Sequence, residues 1–170
     1  WLGESGKPII LSTGMANNAE IKEAIETIEA TGNKNTIILH CTTNYPCPDE
    51  EANVAAMLDI QANFPKYPIG YSDHTLGIYA DILAAGLGAV MIEKHFTLDR
   101  SMPGPDQKNS LEPKELAEMV KQVRKIQSLN PTEKEAILAT MPRVKTLMGS
   151  GKNVRCPSEL PIGELARKAV

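Results

Sequence analysis

The chain has 170 residues, 42% of them apolar, and its 18 Lys+Arg against 21 Asp+Glu give a formal net charge of -3. This is the balance of one globular domain with no basic run or stripe, and it gives no electrostatic reason to expect nucleic acid or an anionic membrane as partner. No apolar stretch approaches the roughly 20 residues that span a bilayer, and the opening WLGESGKP lacks the charged and apolar regions of a signal peptide, so small-molecule partners and a cytoplasmic location are expected.

Four short β-branched or apolar runs occur along the chain, KPIILST, NTIILHCTTNY, YPIGYSDHT and GAVMIEKHFT, and each leads into a segment with helical periodicity. After the first, Ile21, Ala24, Ile25 and Ile28 share one helical face, and Gly32 is placed to end that helix. After the second, Pro48-Asp49 opens a predicted helix through EEANVAAMLDIQANF, stopped before Pro65. Thr75 is expected to cap the third helix, which runs to Gly86 or Gly88. The fourth return is delayed by the loop DRSMPGPDQKNS. LEPKELAEMVKQVRKIQ follows, with Pro113 in its first turn and Leu116, Met119, Val120, Val123 and Ile126 as its apolar face. A further helix is predicted over Thr132 to Leu147, and the remaining MGSGKNVRCPSELPIGELARKAV reads as an irregular exit from the domain. The cysteines Cys41, Cys47 and Cys156 are odd in number and lack CxxC spacing, so reduced thiols are expected, with Cys41 a small buried hydrophobe.

Strands alternating with crossover helices indicate a parallel α/β architecture. A doubly wound sheet that binds phosphate would show a Gly-rich turn after its first strand, and LSTGMAN has one glycine. Polar residues instead end all four strands, which suits a (β/α)8 TIM-type barrel whose site gathers the βα loops. Four units are half of such a barrel. Because the chain begins at Trp1 with a strand almost at once, the other four strands are expected from upstream chain or another subunit.

Period-two alternation puts Ser72 on one side with His74, and Glu93 on one side with His95, while Asp73 and Lys94 lean the other way. Two imidazoles from adjacent strand ends, with carboxylate or water oxygens, suit Mn, Fe or Zn with an open position. A single histidine in such a place is more often structural, and His40, within TIILHC, is read that way. Ser12-Thr13 and Thr42-Thr43-Asn44-Tyr45 put hydroxyls and an amide at the other two strand ends, where they either bind ligand oxygens or cap turns. Asp106 lies on the long loop, as a turn residue or a ligand contact.

Taken together, KPIILSTGMA, LHCTTNYPCP, IGYSDHT, IEKHFTLD and GPDQKNSLEP resemble the sialic acid synthase family, which includes N-acetylneuraminate, legionaminate and pseudaminate synthases. The similarity runs from Gly6 to Gly151, with five motifs in order. It implies that residues 1–150 are the C-terminal half of a (β/α)8 synthase barrel and 151–170 a linker towards an absent antifreeze-like domain. It also implies a cytoplasmic homodimer that condenses phosphoenolpyruvate with an N-acetylated hexosamine to a nine-carbon 2-keto acid, releasing phosphate. On this resemblance His74 and His95 bind a divalent metal, Mn2+, that holds the sugar aldehyde. Ser12 and Ser72 match positions that bind phosphoenolpyruvate, and Tyr45 and Asp106 match positions that contact the amino sugar. Thr43 stands where some members have asparagine, so Asn44 beside it is taken as the replacement contact. Glu93 is assigned to orient a ligand or carry protons. The GPDQKNSLEP loop leans towards a neuraminate or legionaminate product over pseudaminate. The competing readings are a non-catalytic half-barrel that self-associates through its open strand edges, and a metal-dependent aldolase or sugar isomerase on the same barrel.

Overall fold

The computed structural model describes residues 1–153. The four apolar runs form β1 (Ile9–Ser12), β2 (Thr36–Cys41), β3 (Ile69–Asp73) and β4 (Ile92–Lys94), which pair in parallel in that order. Helix α1 (Asn18–Glu29) returns from β1, α2 (Asp49–Ala52) and α3 (Ala56–Asn63) from β2, and α4 (Tyr79–Gly86) from β3. After β4 come α5 (Pro113–Gln127), α6 (Pro131–Thr140) and α7 (Val144–Met148). Single-helix crossovers keep the strands parallel, and the sheet curls into a half-barrel.

Residues opposite one another in a parallel ladder share a face, so the register sorts the side chains into two layers. Ser12 is paired with Leu39, Leu39 with Gly70, Cys41 with Ser72, and Ser72 with Glu93. These line the concave side. The intervening residues Leu11, Ile38, Tyr71 and Ile92 point to the helices, where they join Ile21, Ile25, Met57, Ile60, Leu83 and Leu147 in the main core. Burial of such side chains stabilises each by about 1.5–3 kcal/mol. The concave layer is less covered: Ile10 is 52% exposed, and Ser12 and Glu93 are exposed. Gly70 is required there by close approach, since a Cβ would lie 2.5 Å from Leu39 Cδ2 and 2.6 Å from the Met91 carbonyl oxygen.

Helices α1 and α5 form as their sequence signals dictate. The Asn17 side chain accepts the N–H groups of Ala19 and Glu20, and the Glu20 carboxylate accepts the Asn17 N–H, closing a capping box. Pro113 takes the first turn of α5, which buries Met119 and Ile126.

Three local expectations are corrected. The helix predicted through EEANVAAMLDIQANF is two helices, broken at Asn53 in the left-handed region (φ 43°). Tertiary hydrogen bonds cause the break: the Val54 N–H donates to the Leu147 carbonyl (2.8 Å) and the Ala55 N–H to that of Met148 (3.1 Å), so neither continues α2. Thr75 does not cap α4, which begins at Tyr79 after Ile78. Its N–H and hydroxyl are both spent on the Asp73 carboxylate. The helix predicted over Thr132 to Leu147 is also two, because Pro142 lacks the N–H a continuous helix needs and Arg143 turns left-handed (φ 64°). The Arg143 guanidinium then binds the Asp49 carboxylate and the Leu76 carbonyl, tying the start of α7 to α2 and to the loop after β3. From residue 154 onward the expected linker, with Cys156, lies outside the described residues.

Candidate active site

The two histidines stand just past the ends of neighbouring strands, each following a concave-layer residue by two positions, and alternation carries both to the same side. Their ring centroids are 5.5 Å apart at an interplanar angle of 70°. Ser72, one step below, donates its hydroxyl to Glu93 Oε1 at 2.8 Å and lies 3.5 Å from His74 Nε2. The Tyr45 ring packs over His74, with centroids 4.0 Å apart, and reaches within 5.7 Å of the His95 ring. Burial chiefly, then the charges of Cys41, Asp106 and Glu93, push the Tyr45 phenol above its usual range, placing those groups in one electrostatic neighbourhood.

The tautomer of His74 follows from its partners. Nδ1 lies 2.6 Å from the Thr42 carbonyl oxygen, and a carbonyl only accepts, so Nδ1 carries the proton and Nε2 the lone pair of the neutral ring. Burial dominates in lowering the His74 pKa, with the neighbouring His95 adding to it and the Thr42 carbonyl opposing it. At neutral pH the ring is uncharged. Because the Ser72 hydroxyl proton points to Glu93, two lone pairs face each other across the 3.5 Å gap to Nε2. The Nε2 lone pair therefore takes no proton from Ser72, and the carbonyl behind His74 is the orienting contact typical of metal-bound imidazole. Among the described residues no cluster of three or more His, Cys, Asp or Glu side chains forms a metal cage. The donors present are the His74 Nε2 lone pair and the neighbouring His95 ring, two nitrogens that would leave an ion's other positions to substrate or water oxygens.

A groove of about 310 Å3 opens beside His95, lined by Phe96, Thr97, Asp106, Gln107 and Ser110. It brings Asp106 of the long loop to the same end of the sheet. Ser12 ends β1 on the concave face, exposed and two strands from Ser72. The Asn44 amide donates to Glu51 Oε2 at 2.9 Å, and the Thr42 hydroxyl donates to the Glu51 carbonyl at 3.0 Å. Both contacts fix the β2 loop against α2, and through Thr42 they hold the carbonyl that orients His74.

Two features escaped the sequence reading. One is that Thr42 carbonyl, for which no side-chain signal exists. The other lies on the convex side, where Lys94 Nζ meets Asp73 Oδ2 at 2.5 Å and the Thr75 carbonyl at 2.6 Å, with Asp81 Oδ2 at 4.0 Å. Opposite charges one position before each histidine were the available clue. Burial, then the charge of Asp73, holds Asp81 well above the usual carboxylate range. His40 also faces the helices, its Nε2 donating to the Ala52 carbonyl at 3.3 Å, and burial pushes its pKa down to about 4. It is structural, and Cys41 is buried as expected.

Residues 2–136 match the model of the NeuB family. Among curated proteins, the N,N'-diacetyllegionaminic acid synthase of Campylobacter jejuni is 52% identical over 74% of this chain and 38% of its own length. Among solved structures, the spore coat polysaccharide biosynthesis protein spsE of Bacillus subtilis superposes with a TM-score of 0.81 at 38% identity, over 92% of this chain and 42% of that one. The N-acetylneuraminic acid synthetase of Leptospira borgpetersenii, solved in complex with citrate, gives 0.71 at 37% identity over 80% and 50%. A parallel half-barrel with two histidines at adjacent strand ends is thus found in a chain similar to sugar-acid synthases, and the chain belongs to the NeuB family. It spans less than half the length of the curated relatives it matches.

Proposed function

We propose that this chain is part of an enzyme that condenses phosphoenolpyruvate with an N-acetylated amino sugar, giving a nine-carbon 2-keto sugar acid and phosphate. Its four β-α units are then the C-terminal four of a closed (β/α)8 barrel, acting in the cytoplasm as a homodimer. The observation that carries this reading is the convergence of His74, His95, Ser72, Glu93 and Tyr45 at the C-terminal ends of adjacent parallel strands, the end where such barrels do their chemistry. The legionaminic acid made by the Campylobacter relative carries two acetyl groups by name, which favours a diacetylated sugar as acceptor here.

His74 Nε2 and the His95 ring are the groups that would hold a divalent ion, Mn2+. When bound, such an ion withdraws charge from the acceptor's aldehyde and makes its carbon electrophilic. The enol carbon C3 of phosphoenolpyruvate forms the new C–C bond to that carbon, and the aldehyde oxygen takes up a proton. Water adds at C2, and the C2–O bond to phosphate breaks. Ser12 and Ser72 bind phosphoenolpyruvate through their hydroxyls. In the free site Ser72 gives its hydroxyl proton to Glu93 Oε1, and turning that proton towards the ligand is what lets it donate to an anionic oxygen. Glu93 accepts the proton that the attacking water gives up. Tyr45 backs His74 and is 49% exposed, a face against which a sugar ring can lie, while Asp106 and Asn44 accept its hydroxyl or amide hydrogens.

The test is phosphate release from phosphoenolpyruvate with a panel of N-acetylated hexosamines, with and without a chelator. Release should require the sugar, phosphoenolpyruvate and the metal together. Turnover of the sugar without phosphoenolpyruvate would replace this reading with an aldolase or isomerase.

A further inference from the structure

The convex side of the two histidine-bearing strand ends holds a buried charged cluster that the proposed chemistry does not use. Asp73 and Lys94 are ladder partners, and each immediately precedes one of the histidines. Their side chains are 0% and 2% exposed. Lys94 Nζ donates to Asp73 Oδ2 at 2.5 Å and to the Thr75 carbonyl at 2.6 Å, with Asp81 Oδ2 of α4 at 4.0 Å. Asp73 in turn accepts the Thr75 N–H at 2.8 Å and hydroxyl at 3.2 Å.

Such a cluster is a poor device for stability alone, because a well-packed apolar pair of similar volume stabilises as much or more. It does discriminate between strand positions. β4 contributes only three residues to its ladder with β3, and a slip of one residue would turn His95 to the helical side. The same slip would carry the Lys94 ammonium away from three converging oxygens and leave a buried charge unpaired. The alternative register is therefore strongly disfavoured. Asp81, on the helix that follows β3, lines the cluster 4.0 Å from the ammonium, its carboxyl oxygens without a hydrogen-bond partner.

We propose that the buried Asp73–Lys94 pair, with Thr75 and Asp81, is a positioning unit that fixes the separation and facing of the His74 and His95 rings. This rests on the reading that both imidazoles hold one divalent ion, and it adds residues that never touch substrate. The probe is Mn2+ alone, titrated into the purified protein and followed by the electron paramagnetic resonance signal of the free ion, with thermal unfolding recorded beside it. In D73N/K94M both charges are removed together, so no uncompensated ion is buried. It should unfold cooperatively and bind Mn2+ at least fivefold more weakly than the parent; a loss below fivefold overturns the proposal. A merely structural role would lower the unfolding temperature and leave the affinity of the folded protein unchanged. If the double variant does not unfold cooperatively, D73L/K94M, which also buries no ion and packs apolar side chains in its place, is read against the same fivefold boundary. His74→Ala separates the two readings: parental Mn2+ affinity there sinks the shared metal site itself, whereas loss there with full affinity in D73N/K94M sinks only the positioning role.

Discussion

His74 and His95 come from different crossover units, yet their rings meet edge to face with centroids 5.5 Å apart, and the Tyr45 ring leans against both. The pair is held from behind by the Thr42 carbonyl on His74 Nδ1 and from the strand pairing of Ser72 with Glu93. On the proposed function, changing either histidine to alanine in the intact enzyme should reduce metal-dependent phosphate release by at least about 100-fold, the usual cost of losing a main electrostatic stabiliser. Near-parental release from either variant would reject the assignment.

His40 predicts an acid-sensitive fold. Its pKa is lowered to about 4 by burial, against about 6.5 in an unfolded chain. Between those values the unfolded state binds the extra proton, so stability present at pH 7 is lost as pH falls from about 6.5 to about 4 and the loss then levels off. The contribution is about 3 kcal/mol across that window. Urea unfolding at pH 7 and pH 4.5 should show a fall in midpoint that His40→Gln flattens. An equal fall in the variant would remove His40 as the cause.

Gly70 should resist even the smallest side chain. The Cβ of Gly70→Ala would lie 2.6 Å from the Met91 carbonyl oxygen and 2.5 Å from Leu39 Cδ2. Leu39 can rotate away, but the strand backbone has less room to give. Overpacking of this kind costs about 1–3 kcal/mol, measurable as a lower unfolding midpoint. Unchanged stability would mean that β3 and β4 separate more easily than their ladder suggests.

Asn53 combines a left-handed backbone with two side-chain bonds, its amide donating to the Lys152 carbonyl and its Oδ1 accepting the Gly151 N–H. Asn53→Ala loses both bonds and keeps the backbone penalty, so it should cost more than Asn53→Gly, which loses the bonds but suits a positive φ. A difference of about 1 kcal/mol between the two in chemical denaturation is expected. Equal values would show that the backbone conformation relaxes when the side chain is removed.

The amino-acid sequence alone determined the strands, their parallel order and the faces of the residues at their ends. Apolar runs spaced by amphipathic segments leave few alternatives to crossover helices, and strict alternation puts Ser72 with His74 and Glu93 with His95, while the register of β3 against β4 brings the two pairs into one layer. The apolar faces of α1 and α5 were equally legible, because each is written within a few turns of one helix. Of the two helix breaks, the one at Pro142 is written in the sequence, although the helix expected over Thr132 to Leu147 runs through it, and the one at Asn53 is not written there. At Asn53 the N–H groups of Val54 and Ala55 go to carbonyls of α7, about ninety residues away, and local propensity carries no record of so distant an acceptor. The tertiary structure alone decided the Thr42 carbonyl as the orienting contact of His74, the meeting of Lys94 with Asp73 and Asp81, and the commitment of Asn44 to Glu51. Each depends on which groups burial forces to find a partner, and that is settled only when separate crossover units pack together.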